Sequence, residues 1–325
     1  MRISIYNPDL VKVADIGDCY ISCLWNEEYN ADGAFCLELR ATDAYKRNIT
    51  PDCYAKRHDR PGLMIIKSVN VSGNSMVLSG KSAAAVLEDV AFVGSTTANT
   101  VVATELKSAY DSTNGYQNVT FAESDLTDTY GDSIENKSMH DMLAAMCLAT
   151  DMGYRAVKTG SGIEIQLYKP GVNENARFSH FLGNLKEPEV NISTSGYKNY
   201  AIVVGKTSGG AVKRVDVDWS DGQQHREIII SGRSQGSDES STAFEARLRS
   251  IGVNKLAESL RELNCSFVPS AAGFGGRFEL GDIATIVLDD YGIKLQARII
   301  SFTEKSQNNK SKTTIEVGTP TVISR

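Results

Sequence analysis

The stretch Ser79-Gly80-Lys81-Ser82 ends like a phosphate-binding loop, in which backbone N–H groups curl around phosphates and a lysine reaches them. That loop needs a glycine five residues before Gly80. Ser75 stands there, and Met76-Val77-Leu78 between them reads as a strand. A strand end followed by a helix-capping serine fits the residues better. Asp216-Val217-Asp218-Trp219-Ser220-Asp221-Gly222, with Glu227 at the twelfth place, imitates a calcium loop. Its glycine falls at the seventh place instead of the sixth, where the sharp turn is made, and its flanks are strand-like. A hairpin turn at Ser220-Asp221-Gly222 is the simpler account.

Cys19 and Cys23 lack the two further converging ligands that zinc requires. The remaining cysteines, Cys36, Cys53, Cys147 and Cys265, are sparse for the length, which suits reduced thiols within strands and helices. His58, His140, His180 and His225 lie in four different segments, with no Gly-x-Ser-x-Gly elbow and no His-Glu-x-x-His helix. Gly273-Phe274-Gly275-Gly276 has no strand–turn–helix context and reads as a flexible turn. Lys56-Arg57-His58-Asp59-Arg60 reads as a solvated loop, with contact to an acidic partner as the alternative. Trp25 and Trp219 could be glycan platforms, but aromatic residues in strands more often belong to cores. No catalytic, cofactor-binding or metal-ligating residue is therefore assigned, and no cofactor is expected. The chain reads as a non-enzyme.

The elements that would hold these residues are mostly strands. Phe35-Cys36-Leu37-Glu38-Leu39-Arg40 alternates as a half-buried strand does, and Gly73-Asn74 turns Leu63–Val71 into Ser75–Ser79 as a hairpin. With Arg2–Tyr6 and Tyr20–Trp25 these predict a small antiparallel barrel or sandwich over residues 1–90. Residues 91–175 read as a mixed α/β domain. Ser82 caps an alanine-rich segment, residues 97–110 are compatible with a helix, and a further helix starts at Ser138-Met139-His140-Asp141 and stops at Gly153. Thr159-Gly160-Ser161-Gly162 joins two strands after it. Residues 176–325 read as a second β domain with a helical insertion at about 236–275. Its helix spans Asp238–Leu263, with a capping box at Thr242-Ala243-Phe244-Glu245 and an apolar face of Phe244, Leu248, Ile251, Leu256, Leu260 and Leu263. Strands resume with Asp282–Leu288, Lys294–Phe302 and Thr313–Val317.

The 325 residues suit two or three domains, and 41% apolar with 23% charged residues marks a folded chain. A net charge of −6 disfavours gripping nucleic-acid phosphates, though a wall that DNA merely passes is compatible with it. The N-terminus has no apolar signal region and no apolar run reaches membrane-spanning length, so synthesis in a cytoplasm without membrane insertion is expected.

The order of short segments then resembles a family. Tyr6-Asn7-Pro8-Asp9-Leu10 is followed by Leu24-Trp25-Asn26-Glu27-Glu28-Tyr29, by Gly33–Leu39 and by Ala41-Thr42-Asp43. Met64-Ile65-Ile66, Ser79-Gly80-Lys81-Ser82, Tyr197-Lys198-Asn199-Tyr200 and Leu280-Gly281-Asp282 come later. The series is similar to the tail-tip, or baseplate hub, proteins of long-tailed bacteriophages and prophages, which are related to the N-terminal structural part of tail-associated lysins. The resemblance implies a mainly β fold with α+β insertions: two β-barrel domains, a mixed α/β domain and a helix-containing insertion. It implies a homotrimeric ring at the virion tail tip that adapts a sixfold tube to a threefold tip and forms part of the DNA conduit. The implied partners are a distal tail protein, a tape-measure protein and a tail spike or fibre, with DNA passing the lumen without specific binding. Longer relatives continue into a peptidase or sugar-binding module. This chain stops at Arg325, immediately after its last strand, so lytic activity is expected on another polypeptide. A tail-associated cell-wall hydrolase and a receptor- or glycan-binding module are the alternatives, and a phage-derived contractile device is a variant of the first reading.

Overall fold

Alternating apolar residues build most of this chain, and strands outweigh helix by 48% to 18%, which makes it mainly β. The computed structural model describes residues 1–160, 162–193, 196–222, 224–236, 239–258, 262–307 and 310–324. They form two compact units, Met1–Lys186 with Val268–Arg325, and Glu187–Phe267.

The larger unit is organised by a twelve-stranded sheet. Its order runs Val172–Ser179, Ile283–Leu288, Ile293–Gln307, Ser22–Glu28, Ala34–Arg40, Ser75–Ser82, Leu63–Ser72, Tyr54–Arg57, Ile3–Tyr6 and Lys12–Gly17. Lys310–Val317 and Thr321–Ser324 pair with Ile293–Gln307 beside this path. The pairings are antiparallel except that of Val172–Ser179 with Ile283–Leu288. No sheet of the described residues closes into a barrel. The hairpin expected at Gly73-Asn74 is present, with Gly73 at φ +58°, the left-handed conformation that such turns assign to glycine.

Leu63-Met64-Ile65-Ile66 is apolar without alternation because both faces of the sheet are covered there. Leu63 and Ile65 join one core with helices Val102–Asp111 and Met139–Thr150. Met64 and Ile66 join another with Ile3, Ile5, Trp25, Leu37 and Leu78. The Ser82 hydroxyl accepts from the Ala84 N–H at the start of a 3-10 turn, and Ser138 accepts from Asp141 N–H at the start of its helix, as the capping signals required.

That second helix ends differently from the expectation. Asp151 takes the left-handed cap (φ +54°), and Gly153 begins the strand Gly153–Lys158. Its missing side chain serves another purpose: a Cβ there would stand 2.4 Å from the ring of Tyr29. Tyr29 is fully buried, and its hydroxyl has two acceptors within reach, the carbonyls of Asp151 (3.1 Å) and Tyr168 (3.2 Å). Gly281 packs on the same ring, and the Arg298 guanidinium lies 4.9 Å from its centre.

In the smaller unit, Tyr200–Lys206 is flanked by Val212–Asp218, antiparallel, and Glu227–Ser231, parallel. Ser220-Asp221-Gly222 is therefore a turn in a crossover passing the central strand, not a hairpin. Helix Ser241–Glu258 covers one face through Phe244, Leu248 and Leu256 against Ala201, Val203, Val215 and Val217. Ser240, not Thr242, caps it, its hydroxyl accepting from Ala243 N–H. The helix does not reach Leu263, because Glu262–Pro269 is a strand paired with Leu185–Ser193; Leu260, like Asp238, Thr194 and Ser161, lies outside the described residues.

Gly153→Ala should drive a methyl into Tyr29 and cost roughly 1–3 kcal/mol. Urea unfolding checks this, with a lowered midpoint at unchanged slope expected and an unchanged midpoint contradicting the packing account.

Candidate functional site

The segment Lys56–Arg60, expected to be a solvated loop, instead buries two of its charges, Arg57 and Arg60, while His58 and Asp59 stay exposed. Tyr54–Arg57 is a strand, and its alternation puts the Arg57 side chain inside, 1% exposed. Arg57 pairs with Glu304 at 2.8 Å and Asp59 at 2.6 Å, and lies over the Trp25 ring. Arg60 reaches Glu27 and Glu279, each at 2.8 Å, and stacks near Phe274. Glu27 also accepts from the Trp25 indole N–H at 2.9 Å. The Lys56 ammonium donates to the backbone carbonyls of Arg60 and Pro61. Burying these ions is tolerable because each one has a partner of opposite charge or a full acceptor set. Glu27 could have been found from sequence by parity: it shares the inward face of Ser22–Glu28 with Trp25, and a carboxylate on a buried face needs a cation.

Gly273-Phe274-Gly275-Gly276 is a turn, as expected, with Gly273 and Gly275 at positive φ. It seats Phe274 flat against Phe302, 4.1 Å between ring centres, and so covers the arginine cluster.

The phosphate-loop look-alike is likewise consumed by structure. A side chain at Gly80 would stand 1.8 Å from the Ile65 carbonyl oxygen, so this glycine permits close strand approach at a register shift. Lys81 pairs with Glu88 and lies 3.6 Å from Asp32. His140 Nε2 stands 3.1 Å from Asp32 Oδ2, and its pKa is raised by that carboxylate. Ligand atoms of Asp32, Glu88 and His140 lie within 4.8 Å of one another, a spacing a metal could use. The Lys81 ammonium already supplies a cation there, and the Tyr154 hydroxyl donates to Asp32 at 3.4 Å. The arrangement ties the 139–150 helix to the sheet as a charge cluster.

The four histidines remain apart. His58 contacts Ser4 Oγ at 2.9 Å, His180 sits in a turn, and His225 stacks on Tyr200. Burial pushes the Cys23 and Cys147 thiols up to about 12, which keeps both protonated at neutral pH and poor as nucleophiles. Cys19, Cys36 and Cys53 are free thiols too, while the Cys265 side chain is outside the described set. In the calcium look-alike, Asp216 pairs with Arg214, and Asp218 accepts from the Ser220 N–H. Trp25 is buried as expected; Trp219 is not in a core, being 42% exposed.

Two features of the larger unit face outward. One is a cavity of about 260 Å³ lined by Glu28, Leu63, Met64, Tyr154, Tyr168 and Leu280 among others. The other is the turn His180–Gly183. Ser179 Oγ donates to Asp289 at 2.6 Å, Asn184 accepts from the Ser179 N–H, and Gly183 takes φ +66°. This pinned turn leaves Phe181 87% exposed and Leu182 59% exposed.

Comparison with known proteins follows the same direction. The family model described as Siphovirus ReqiPepy6 Gp37-like protein matches residues 2–319. No curated protein matches the chain in sequence. Among solved structures, the prophage MuSo2 43 kDa tail protein from Shewanella oneidensis is similar with a TM-score of 0.55 and 14% identity, 98% of each chain being covered. Prophage tail protein gp18 from Listeria monocytogenes EGD-e gives 0.55 and 12%, covering 100% of this chain and 95% of that one. The tail protein from Neisseria meningitidis MC58 gives 0.51 and 10%, covering 97% and 95%. At these identities the likeness is one of fold.

Removing Arg60 while leaving Glu27 buried should be costly. Arg60→Met is expected to lose about 3–5 kcal/mol, and the double variant with Glu27→Gln should regain part of that loss. Denaturant unfolding of the cycle checks this; simple additivity would contradict the pairing.

Proposed function

We propose that this chain, which belongs to the Siphovirus ReqiPepy6 Gp37-like family, is a structural hub of a phage or prophage tail tip. It acts as a homotrimeric ring that adapts the sixfold tail tube to a threefold tip and forms part of the DNA conduit. The observation that carries this reading is the family match over residues 2–319, nearly the whole chain. It is supported by the fate of the chemistry-bearing side chains: Lys81, Arg57, Arg60 and Asp216 are held in internal ion pairs.

In this role the β-rich parts of each subunit take the two barrel positions around the axis. A distal tail protein, a tape-measure protein and a spike or fibre are its neighbours at the virion tail tip. The net charge of −6 suits a wall past which DNA slides without being gripped. A hub must also present rigid apolar anchors to its neighbours, and Phe181 on its pinned turn is such an anchor. A second reading, a receptor- or glycan-binding module, draws on the half-exposed Trp219. Retention of the isolated protein on host cell walls, lost in Trp219→Ala, is its signature.

Sedimentation of the purified protein, alone and with the neighbouring tail proteins, tests the hub. A trimer is expected in at least one of these mixtures. Phe181→Asp should change unfolding stability by no more than about 0.5 kcal/mol yet weaken association by about 2 kcal/mol or more. A monomer under every condition would overturn the proposal.

A further inference from the structure

The larger unit's cavity carries a carboxylate that no described residue answers. Its walls are amphipathic: Leu63, Met64 and Leu280 give an apolar side, and Tyr154 and Tyr168 give aromatic faces. Three carboxylates, Glu27, Glu28 and Glu279, line it. Glu27 and Glu279 are both engaged by Arg60. The Glu28 carboxylate makes no hydrogen bond or ion pair among the described residues, although the residue is half-buried at the end of its strand. Its surroundings make that worse. The register places Glu28 and Glu316 on either side of Ser301, and Asp32 adds a further negative charge, so burial and like charges together raise the Glu28 pKa. The other cation lining the cavity, Arg155, lies over the Tyr168 ring at 4.9 Å and donates to Gln166 at 3.0 Å.

We propose that this cavity is a binding site for a primary alkylammonium group, with Glu28 as its counter-ion and the apolar wall taking the methylene stem. The chemistry selects this class over its rivals. An anion would meet the Glu27, Glu28 and Glu279 carboxylates. A bare divalent ion would find too few oxygen ligands beside Leu63, Met64 and Leu280. A volume of about 260 Å³ falls just below the range of ordinary ligand pockets, roughly 300–1,000 Å³, which fits one slender chain. An ammonium at the end of a flexible alkyl stem satisfies both halves of the wall at once. The inference holds whichever assembly the chain serves, because it rests on the cavity alone.

Two sources offer that group, a free diamine and a lysine side chain of a partner protein, and calorimetric titrations at constant ionic strength separate them. The probes are 1,5-diaminopentane and capped Gly-Lys-Gly, with 1,5-pentanediol and capped Gly-norleucine-Gly as their neutral counterparts. Saturable binding of an amine but not of its neutral counterpart is expected, weakened at least about tenfold in Glu28→Gln. Peptide binding would assign the site to a lysine of a partner; binding of the diamine alone would assign it to a free amine. Glu28→Gln should fold with a midpoint no lower than the parent, since it removes a carboxylate repelled by its neighbours. Absence of saturable binding by both amines, equal binding of the neutral probes, or undiminished affinity in Glu28→Gln would each overturn the assignment.

Discussion

The pairing of Ile293–Gln307 with Ser22–Glu28 is the contact on which the larger unit depends. It joins residues almost the full chain apart, with Trp25 opposite Glu304 and Glu27 opposite Phe302. Part of the interior charge network then follows. Arg57 has a carboxylate partner in Glu304 only once this strand is in place, and Phe302 provides the platform for Phe274, which closes over Arg60. A ladder of such sequence separation forms late, because loop closure costs entropy before the contacts return it. Until it forms, Arg57 lacks Glu304, so the charge network and the strand order enforce one another. Specificity of pairing is the gain such buried ions offer here, more than raw stability.

Tyr29 extends the same strand into a joint. Its ring is enclosed by Gly153 from the mixed α/β region and Gly281 from the turn before Ile283–Leu288, while Arg298 covers it and binds Asp151. Three distant stretches meet on one side chain, and two glycines make the room. A protein transmitting load between neighbours benefits from this construction, since dense, interlocked packing resists deformation.

Local chemistry was legible in the sequence and distant pairing was not. Gly73-Asn74, Ser82, Ser138 and the alternation of Phe35, Leu37 and Leu39 each determine structure within a few residues, and each appears as its residue types require. The errors share one cause. Lys56–Arg60 looks solvated because Glu27, Glu279 and Glu304, which neutralise it, lie about 30 to 250 residues away. Gly153 resembles a helix stop, but its need comes from Tyr29. Ser220-Asp221-Gly222 has hairpin chemistry, yet the strand that follows pairs with Tyr200–Lys206 instead. The phosphate and calcium look-alikes were rejected on spacing, and Lys81, Asp216 and Asp218 are occupied by neighbours in the fold. Glu28 was invisible, since its place on the opposite face of Ser22–Glu28 from Trp25 and Glu27 marks it as an ordinary solvated carboxylate.

The central claim, that this chain is a structural part of a tail tip, is tested most directly by cryo-electron microscopy of tail particles carrying an affinity-labelled copy of it. The account predicts label at the distal end of the tail only, with threefold density into which the chain fits along its full length. Label distributed along the tube, or intact tails assembled without the chain, would contradict it.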